Sequence, residues 1–246
     1  MQAAIRFHEV SKSFGRLCVL DRVSFEVEPG QALCVLGRSG TGKSVLIKQL
    51  VGLIRPDSGQ IYINGQEITH LEPPDLARVR RSIGFLFQYS ALFDFLSVGE
   101  NVAFPLRRHM RLSESEIRDR VAEKLRRVGL EGIEARMPAE ISGGMRKRVG
   151  LARALALDPP ILLADEPSSG LDPVTSREID ELLLDLKLAD GVTMVVVTHN
   201  IPSARRIGDQ LALLEQGRIL ARGTADELAS SPHALVQEFM KSEGAM

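Results

Sequence analysis

The most constraining stretch of the chain is Gly37-Arg38-Ser39-Gly40-Thr41-Gly42-Lys43-Ser44. It has G-x-x-x-x-G-K-[ST] spacing and stands between the apolar run 32–36 and a helical periodicity. Glycines there let successive backbone N–H groups turn inward around phosphate oxygens, and the following helix N-terminus adds partial positive charge. In such a loop Lys43 reaches the β and γ phosphates of a nucleoside triphosphate and the Ser44 hydroxyl binds magnesium. A strand, a phosphate loop and a helix in that order demand an α/β core.

A second acidic motif, Ile161-Leu162-Leu163-Ala164-Asp165-Glu166, reads as a buried strand with carboxylates at its exposed end. Asp165 suits a magnesium-bound water, and Glu166 can orient or deprotonate an attacking water. Taken by itself, it is equally a strand ending in two acidic residues before a turn. Together the two motifs define a nucleotide site shared by kinases, GTPases, helicases and transport ATPases, and nothing narrower.

The chain has 246 residues, 44% hydrophobic and 26% charged, which places it among folded globular chains. Its net charge of −1 gives no general affinity for nucleic acid or an anionic bilayer. Cys18 and Cys34 lack metal-ligand spacing. The N-terminal residues carry no signal-peptide pattern, and no apolar run approaches the ~20 residues of a membrane span. The expectation is a chain that does not cross a membrane by itself.

Short β-branched runs at 5–10, 23–27, 32–36, 61–63 and 83–87 predict strands. A helix is predicted after Gly42, with Leu46, Ile47, Leu50 and Ile54 on one face. Strand signals nearly vanish from 89 to 157. A capping box at Ser113–Glu116 leads into Ile117, Val121, Leu125 and Val128, and a second helix after Ser142 carries Met145, Val149 and Ala152. Arg107, Arg108, Arg111, Arg118, Arg120, Arg126 and Arg127 are expected to form the solvated face of these helices. Strands at 161–164 and 193–197 flank a helix opened by Asp172-Pro173 and striped by Ile179, Leu182, Leu183 and Leu186. Runs at 211–214 and 218–221 form a hairpin around Gln216-Gly217, and a capping box at Thr224–Glu227 opens a C-terminal helix. The organisation expected is one domain, 1–246. Residues 1–88 and 157–246 form the nucleotide-binding core, and 89–156 a helical subdomain.

Ser142-Gly143-Gly144 at a helix N-terminus is a second anion site in the same chain, or else an ordinary serine cap with flexible glycines. Gln88, Ser169-Gly170-Leu171-Asp172, His199 and Phe14 complete a set whose order resembles the ATP-binding subunit of ABC transporters from end to end. The resemblance implies a P-loop fold with an N-terminal antiparallel β subdomain and an inserted α-helical subdomain. Two copies would sandwich two ATP, each held by the phosphate loop of one copy and Ser142, Gly143 and Gly144 of the other. Phe14 would stack on adenine, Gln88 would sense magnesium and water, His199 would contact the γ-phosphate, Glu166 would act as base, and Asp172 would communicate across the homodimer. Taken singly, Phe14 is also a core candidate, Gln88 a strand-end cap, Asp172 a helix N-cap, and His199 a turn histidine. Two positions depart from the family pattern: Met145 replaces the usual glutamine, and Val45 replaces a threonine near the α-phosphate.

The apolar stretch 90–98 and 100–107, read as a loop beside Gln88, offers a surface for a short helix of a membrane subunit, or else fills the helical insert's own core. This stretch, 141–153 and the tail 232–239 resemble the ATPase of Mla/Mce-type bacterial lipid transporters. That resemblance implies a phospholipid or related substrate, a separate permease and attachment to the cytoplasmic side of the inner membrane. It also implies a lipid-binding Mce-type protein and a small regulatory subunit, although relatives that bind such a subunit can carry a longer tail than one ending at Met246. A soluble ABC-type ATPase of DNA repair would need sustained heptads between Lys43 and Ser142, and none occur there. A translation factor would bring two cassettes and a basic balance. A small-molecule kinase would leave the second glycine loop and His199 without roles.

Overall fold

Two sheets divide the work of placing the site. The computed structural model describes residues 2–241; Met1 and residues 242–246 lie outside the described residues. Strands β1 (Ile5–Phe14), β2 (Leu17–Val27) and β3 (Ala32–Leu36) lead to α1 (Lys43–Gln49), β4 (Ser58–Ile63) and β5 (Gln66–Glu67). Helix α2 (Pro73–Arg80) and strand β6 (Ile83–Leu86) follow, then α3 (Val98–His109), α4 (Glu114–Arg127) and α5 (Gly143–Ala154). The rest is β7 (Ile161–Asp165), α6 (Pro173–Asp190), β8 (Thr193–Thr198), α7 (Ile201–Ile207), β9 (Gln210–Glu215), β10 (Arg218–Gly223), α8 (Ala225–Ala229) and α9 (Ala234–Lys241).

The antiparallel sheet has the order β2-β1-β4-β5, and the larger sheet β10-β9-β3-β8-β7-β6. In the larger sheet β6, β7, β8, β3 and β9 run parallel, with β10 as an antiparallel edge. The strands β3, β7 and β8 are distant in sequence yet adjacent in space, and open α/β sheets bind ligands at the carboxyl ends of such strands. The register Leu36↔Thr198 and Asp165↔Val197 brings their three ends level.

Both faces of the larger sheet are covered, which explains the near-continuous apolar runs of β3, β7 and β8. Alternate residues Ala32, Cys34, Leu36, Leu162, Ala164, Met194 and Val196 face one core, shared with Val98, Val102, Leu106, Ile117, Val121, Leu125, Ile179 and Leu183. Leu33, Val35, Leu163, Val195 and Val197 face the other, built on α1 and the antiparallel sheet. The helical segment therefore has no separate core of its own; its apolar side chains join one face of the nucleotide-binding sheet.

Several elements differ from the sequence reading. The first two strands extend to Phe14 and begin at Leu17, because polar residues and bulges at the left-handed Glu9 and Arg22 hide the alternation. Helix α1 ends before Ile54, where Gly52 at φ +63° turns the chain out. Helix α2 was not expected; Pro73 and Pro74 occupy its first turn, where a missing N–H costs nothing. The apolar stretch read as a loop contains α3, with a capping box between Ser97 and Glu100 and a stripe of Val98, Val102 and Leu106. Pro105 inside that helix masked it. The single C-terminal helix is two, α8 and α9. The boxes at Ser113 and Thr224, the hairpin and the cap at Asp172 form as expected. Among the arginines expected to be solvated, Arg107 pairs with Glu114, Arg126 with Glu131, Arg127 with Asp190 and the half-buried Arg120 with Asp158.

Candidate active site

The phosphate loop joins β3 to α1. Gly42 has φ +102°, and a Cβ there would stand 2.8 Å from the Val19 carbonyl oxygen, so glycine is required on both counts. Arg38, Ser39 and Gly40 are exposed, and the Thr41 hydroxyl donates to the Arg38 carbonyl at 2.9 Å. Lys43 is buried at the base of the loop, where Nζ donates to the carbonyls of Gly37 at 2.7 Å and Arg38 at 3.0 Å. Burial lowers its pKa, opposed by the nearby Glu166 carboxylate 3.6 Å away. Val45 turns toward the core around α1 and the antiparallel sheet, and offers no hydroxyl to a nucleotide.

The end of β7 meets this loop. The Ser44 hydroxyl donates to Asp165 Oδ1 at 3.1 Å, and burial raises the Asp165 pKa, partly offset by that hydrogen bond. Glu166 lies one residue on, at φ +48°, a left-handed conformation uncommon for a residue with a Cβ. Its N–H donates to the Val197 carbonyl at 2.8 Å. Its carboxylate receives the Thr198 hydroxyl at 3.2 Å, and His199 Nδ1 lies 2.9 Å from it. The sheet thus brings Lys43, Ser44, Asp165, Glu166 and His199 into one cluster. Thr198 belongs to it and was missed, because a threonine closing a strand carries no distinguishing spacing.

Serine, aspartate and glutamine oxygens suit magnesium, which takes one or two carboxylates and leaves other positions to substrate phosphates. The buried Asp165 beside the Ser44 hydroxyl has that donor chemistry. Among the described residues no group of three or more His, Cys, Asp or Glu is assembled to hold a metal without such help.

The remaining positions surround the cluster. Phe14 is 50% exposed, with Lys12 Nζ 5.4 Å from its ring centroid, so it is not core. Gln88 is half-buried just past β6, its carbonyl receiving Lys147 Nζ. Asp172 caps α6, receiving the N–H groups of Val174 and Thr175 at 3.0 Å each and the Thr175 hydroxyl at 2.6 Å. Ser142 caps α5 by accepting the Met145 N–H at 3.2 Å, and Ser142 and Gly143 are exposed while Gly144 is buried against Thr175. Met145 packs against the core instead of facing outward for hydrogen bonding. Lys147, between Arg146 and Arg148, is 5% exposed and reaches backbone next to the cluster.

The chain is similar to known proteins over nearly its whole length. An ABC transporter family profile matches residues 20–169. A Mycobacterium leprae protein named "Probable ribonucleotide transport ATP-binding protein mkl" is 44% identical over 240 residues, spanning 98% of this chain and 69% of that protein. The Escherichia coli K12 "Intermembrane phospholipid transport system ATP-binding protein MlaF" is 39% identical over 236 residues, 96% of this chain and 88% of that protein. A solved structure described as "Dimeric Structure of MJ0796, a Bacterial ABC Transporter Cassette" superposes with a TM-score of 0.85 at 36% identity, covering 89% of this chain and 98% of that one. With the phosphate loop, the acidic strand end and the exposed Ser-Gly-Gly turn in place, the chain belongs to the ABC transporter family, as an ATP-binding, ATP-hydrolysing subunit.

Proposed function

We propose that this chain is the energy-coupling ATPase of a phospholipid or related lipid transporter, acting as a homodimer on a separate membrane permease. The observation that carries the coupling is a groove of about 590 Å³ beside the Gln88 loop, lined by Arg80, Phe85, Phe87, Phe93, Phe104 and Arg153 among others. Tyr89 and Phe95 stand exposed at 86% and 78% on the same loop. Such a surface suits a short helix of a membrane partner. The lipid reading is supported by the similarity to a protein named for phospholipid transport. Attachment to the permease would hold the subunit at the cytoplasmic side of the bacterial inner membrane. A lipid-binding Mce-type protein and a small regulatory subunit would complete the system. The cassette would be one domain, 1–246, with 89–156 as its helical subdomain.

In this reading each ATP is held by residues 37–45 and Phe14 of one copy and by Ser142, Gly143 and Gly144 of the other. The exposure of Ser142 and Gly143 supports this, since a turn packed inside its own fold has nothing to offer a second copy. Glu166 acts as general base, with Thr198 and His199 aiming its carboxylate. Ser44, Asp165 and Gln88 would hold magnesium, which supplies charge neutralisation for the phosphates. His199, exposed beside Glu166, would contact the γ-phosphate. Asp172, on the loop after β7, lies beside the Ser-Gly-Gly turn through Thr175 and can pass the state of one site to the other. ATP binding closes the pair and hydrolysis reopens it.

The test is purification of the tagged chain from detergent-solubilised membranes, with mass spectrometry of proteins and lipids. An integral-membrane protein recovered with phospholipid is expected. A permease that carries a nucleotide substrate and no lipid would overturn the lipid reading. Recovery only with ribosomes or DNA would overturn transport altogether.

A further inference from the structure

Helix α5 grips the catalytic cluster from behind through one buried side chain. Lys147 is 5% exposed, and its ammonium donates to two main-chain carbonyls, that of Gln88 and that of Glu166 at 3.0 Å. Both carbonyls belong to segments the chain would not adopt unaided. Glu166 sits at φ +48°, and the Gln88 loop continues through Ser90 at +61° and Ala91 at +48°. Left-handed backbone at residues with side chains persists only where neighbours over-determine it. The same helix supplies the other restraints. Arg153 donates to the carbonyls of Ser90 at 2.7 Å and Ala91 at 2.8 Å. Gly150 admits Ser90 so closely that a Cβ there would lie 3.1 Å from the Ser90 Cβ.

We propose that Lys147 is a positioning residue for ATP hydrolysis: it fixes the Glu166 and Gln88 backbones to the helix whose N-terminus is the Ser-Gly-Gly turn. Movement of α5 on engaging the second copy's nucleotide is then transmitted to the base as a displacement of its carbonyl, and through it of its carboxylate. The link runs through a contiguous set of atoms: Ser142 and Gly143 at the helix N-terminus, Lys147 one turn on, and the two carbonyls. Lys147 itself touches backbone only and takes no part in bond making. The proposal rests on the reading of Glu166 as base.

Lys147→Met keeps the apolar stem of the side chain and removes its donors, leaving the Gln88 and Glu166 carbonyls without this partner. It is expected to lower kcat at least about tenfold with KM for ATP and nucleotide affinity within about threefold, since a misplaced group costs turnover before binding. Lys147→Arg, which restores donors, is expected to recover most of the loss. Lys147→Leu, which also lacks donors, serves the same comparison if the methionine variant does not fold. A fall in kcat at retained KM supports the proposal, and wild-type kcat in either donor-free variant overturns it. Equal loss of kcat, affinity and melting temperature in the methionine and arginine variants also overturns it, in favour of a purely structural role. Glu166→Gln is assayed in parallel. If that variant hydrolyses ATP at the wild-type rate, the base assignment fails; if it is inactive while Lys147→Met is fully active, only the present proposal fails.

Discussion

A methyl group at Gly144 would stand 2.5 Å from Thr175 Cγ2, with the next atoms of Thr175 at 3.8 and 4.0 Å. Carbon atoms pack best at about 3.5–4.0 Å, so Gly144→Ala must push the first turn of α5 away from α6 by about 1 Å or rotate Thr175. Rotation would break the 2.6 Å bond from the Thr175 hydroxyl to Asp172. Overpacking of this kind costs about 1–3 kcal/mol, while alanine gains about 1 kcal/mol over glycine in a helix. The net destabilisation is about 0–2 kcal/mol, and at about 2–4 °C per kcal/mol the melting temperature falls by at most ~8 °C. Turnover is the sharper readout, because a displacement of about 1 Å at a site that must meet a second copy can cost about 10²-fold. ATP binding to the single chain should not change, since the phosphate loop lies elsewhere. Thr175→Ser deletes the offending methyl, so the double variant should regain most of the lost turnover. Wild-type turnover in Gly144→Ala would refute the packing argument, and so would failure of Thr175→Ser to rescue.

Other consequences follow from the same geometry. Lys43→Ala removes a buried ammonium, and loss of a charge-assisted hydrogen bond worth about 1.5–3 kcal/mol should weaken ATP binding about 10- to 100-fold, as measured by calorimetry. Unchanged affinity would count against the phosphate-loop assignment. The Asp172 carboxyl is held below its ordinary 3.8, first by the Thr175 hydroxyl and then by backbone N–H groups. A depressed acid stabilises the fold when ionised, so its contribution is present above 3.8 and is lost as pH falls through the lower folded value. The melting-temperature difference between wild type and Asp172→Ala should therefore be constant above about pH 5 and shrink below pH 3.8. A difference that stays the same or widens on acidification would contradict the cap.

What the sequence disclosed and what it hid divide along physical lines. The phosphate loop and the acidic strand end were legible because their chemistry demands fixed spacing within a few residues. The adjacency of β3, β7 and β8 was not, since strand order is set by long-range pairing that no local pattern records. Helix α3 was overlooked because Phe93, Phe95 and Pro105 obscured a capping box at Ser97 and a regular valine–leucine stripe. Lys147 was hidden by its neighbours: Arg146 is exposed, Arg148 reaches Glu178, and only the fold turns the middle residue of the run inward. His199 was visible as a histidine after a strand, but its place beside Glu166 depends on the register of β7 against β8.

ATP-driven closure of the homodimer requires one copy's Ser-Gly-Gly turn to close over the other's phosphate loop. The direct measurement is cysteine cross-linking with a short bifunctional reagent between Ser39→Cys and Ser142→Cys. Glu166→Gln is included to hold ATP unhydrolysed, and Cys18→Ser to remove the exposed native thiol. A covalent dimer that forms with ATP and not without it, and that needs both cysteines, is the predicted result. Cross-linking that ignores ATP, or none at all in a folded chain with ATP bound, would contradict it.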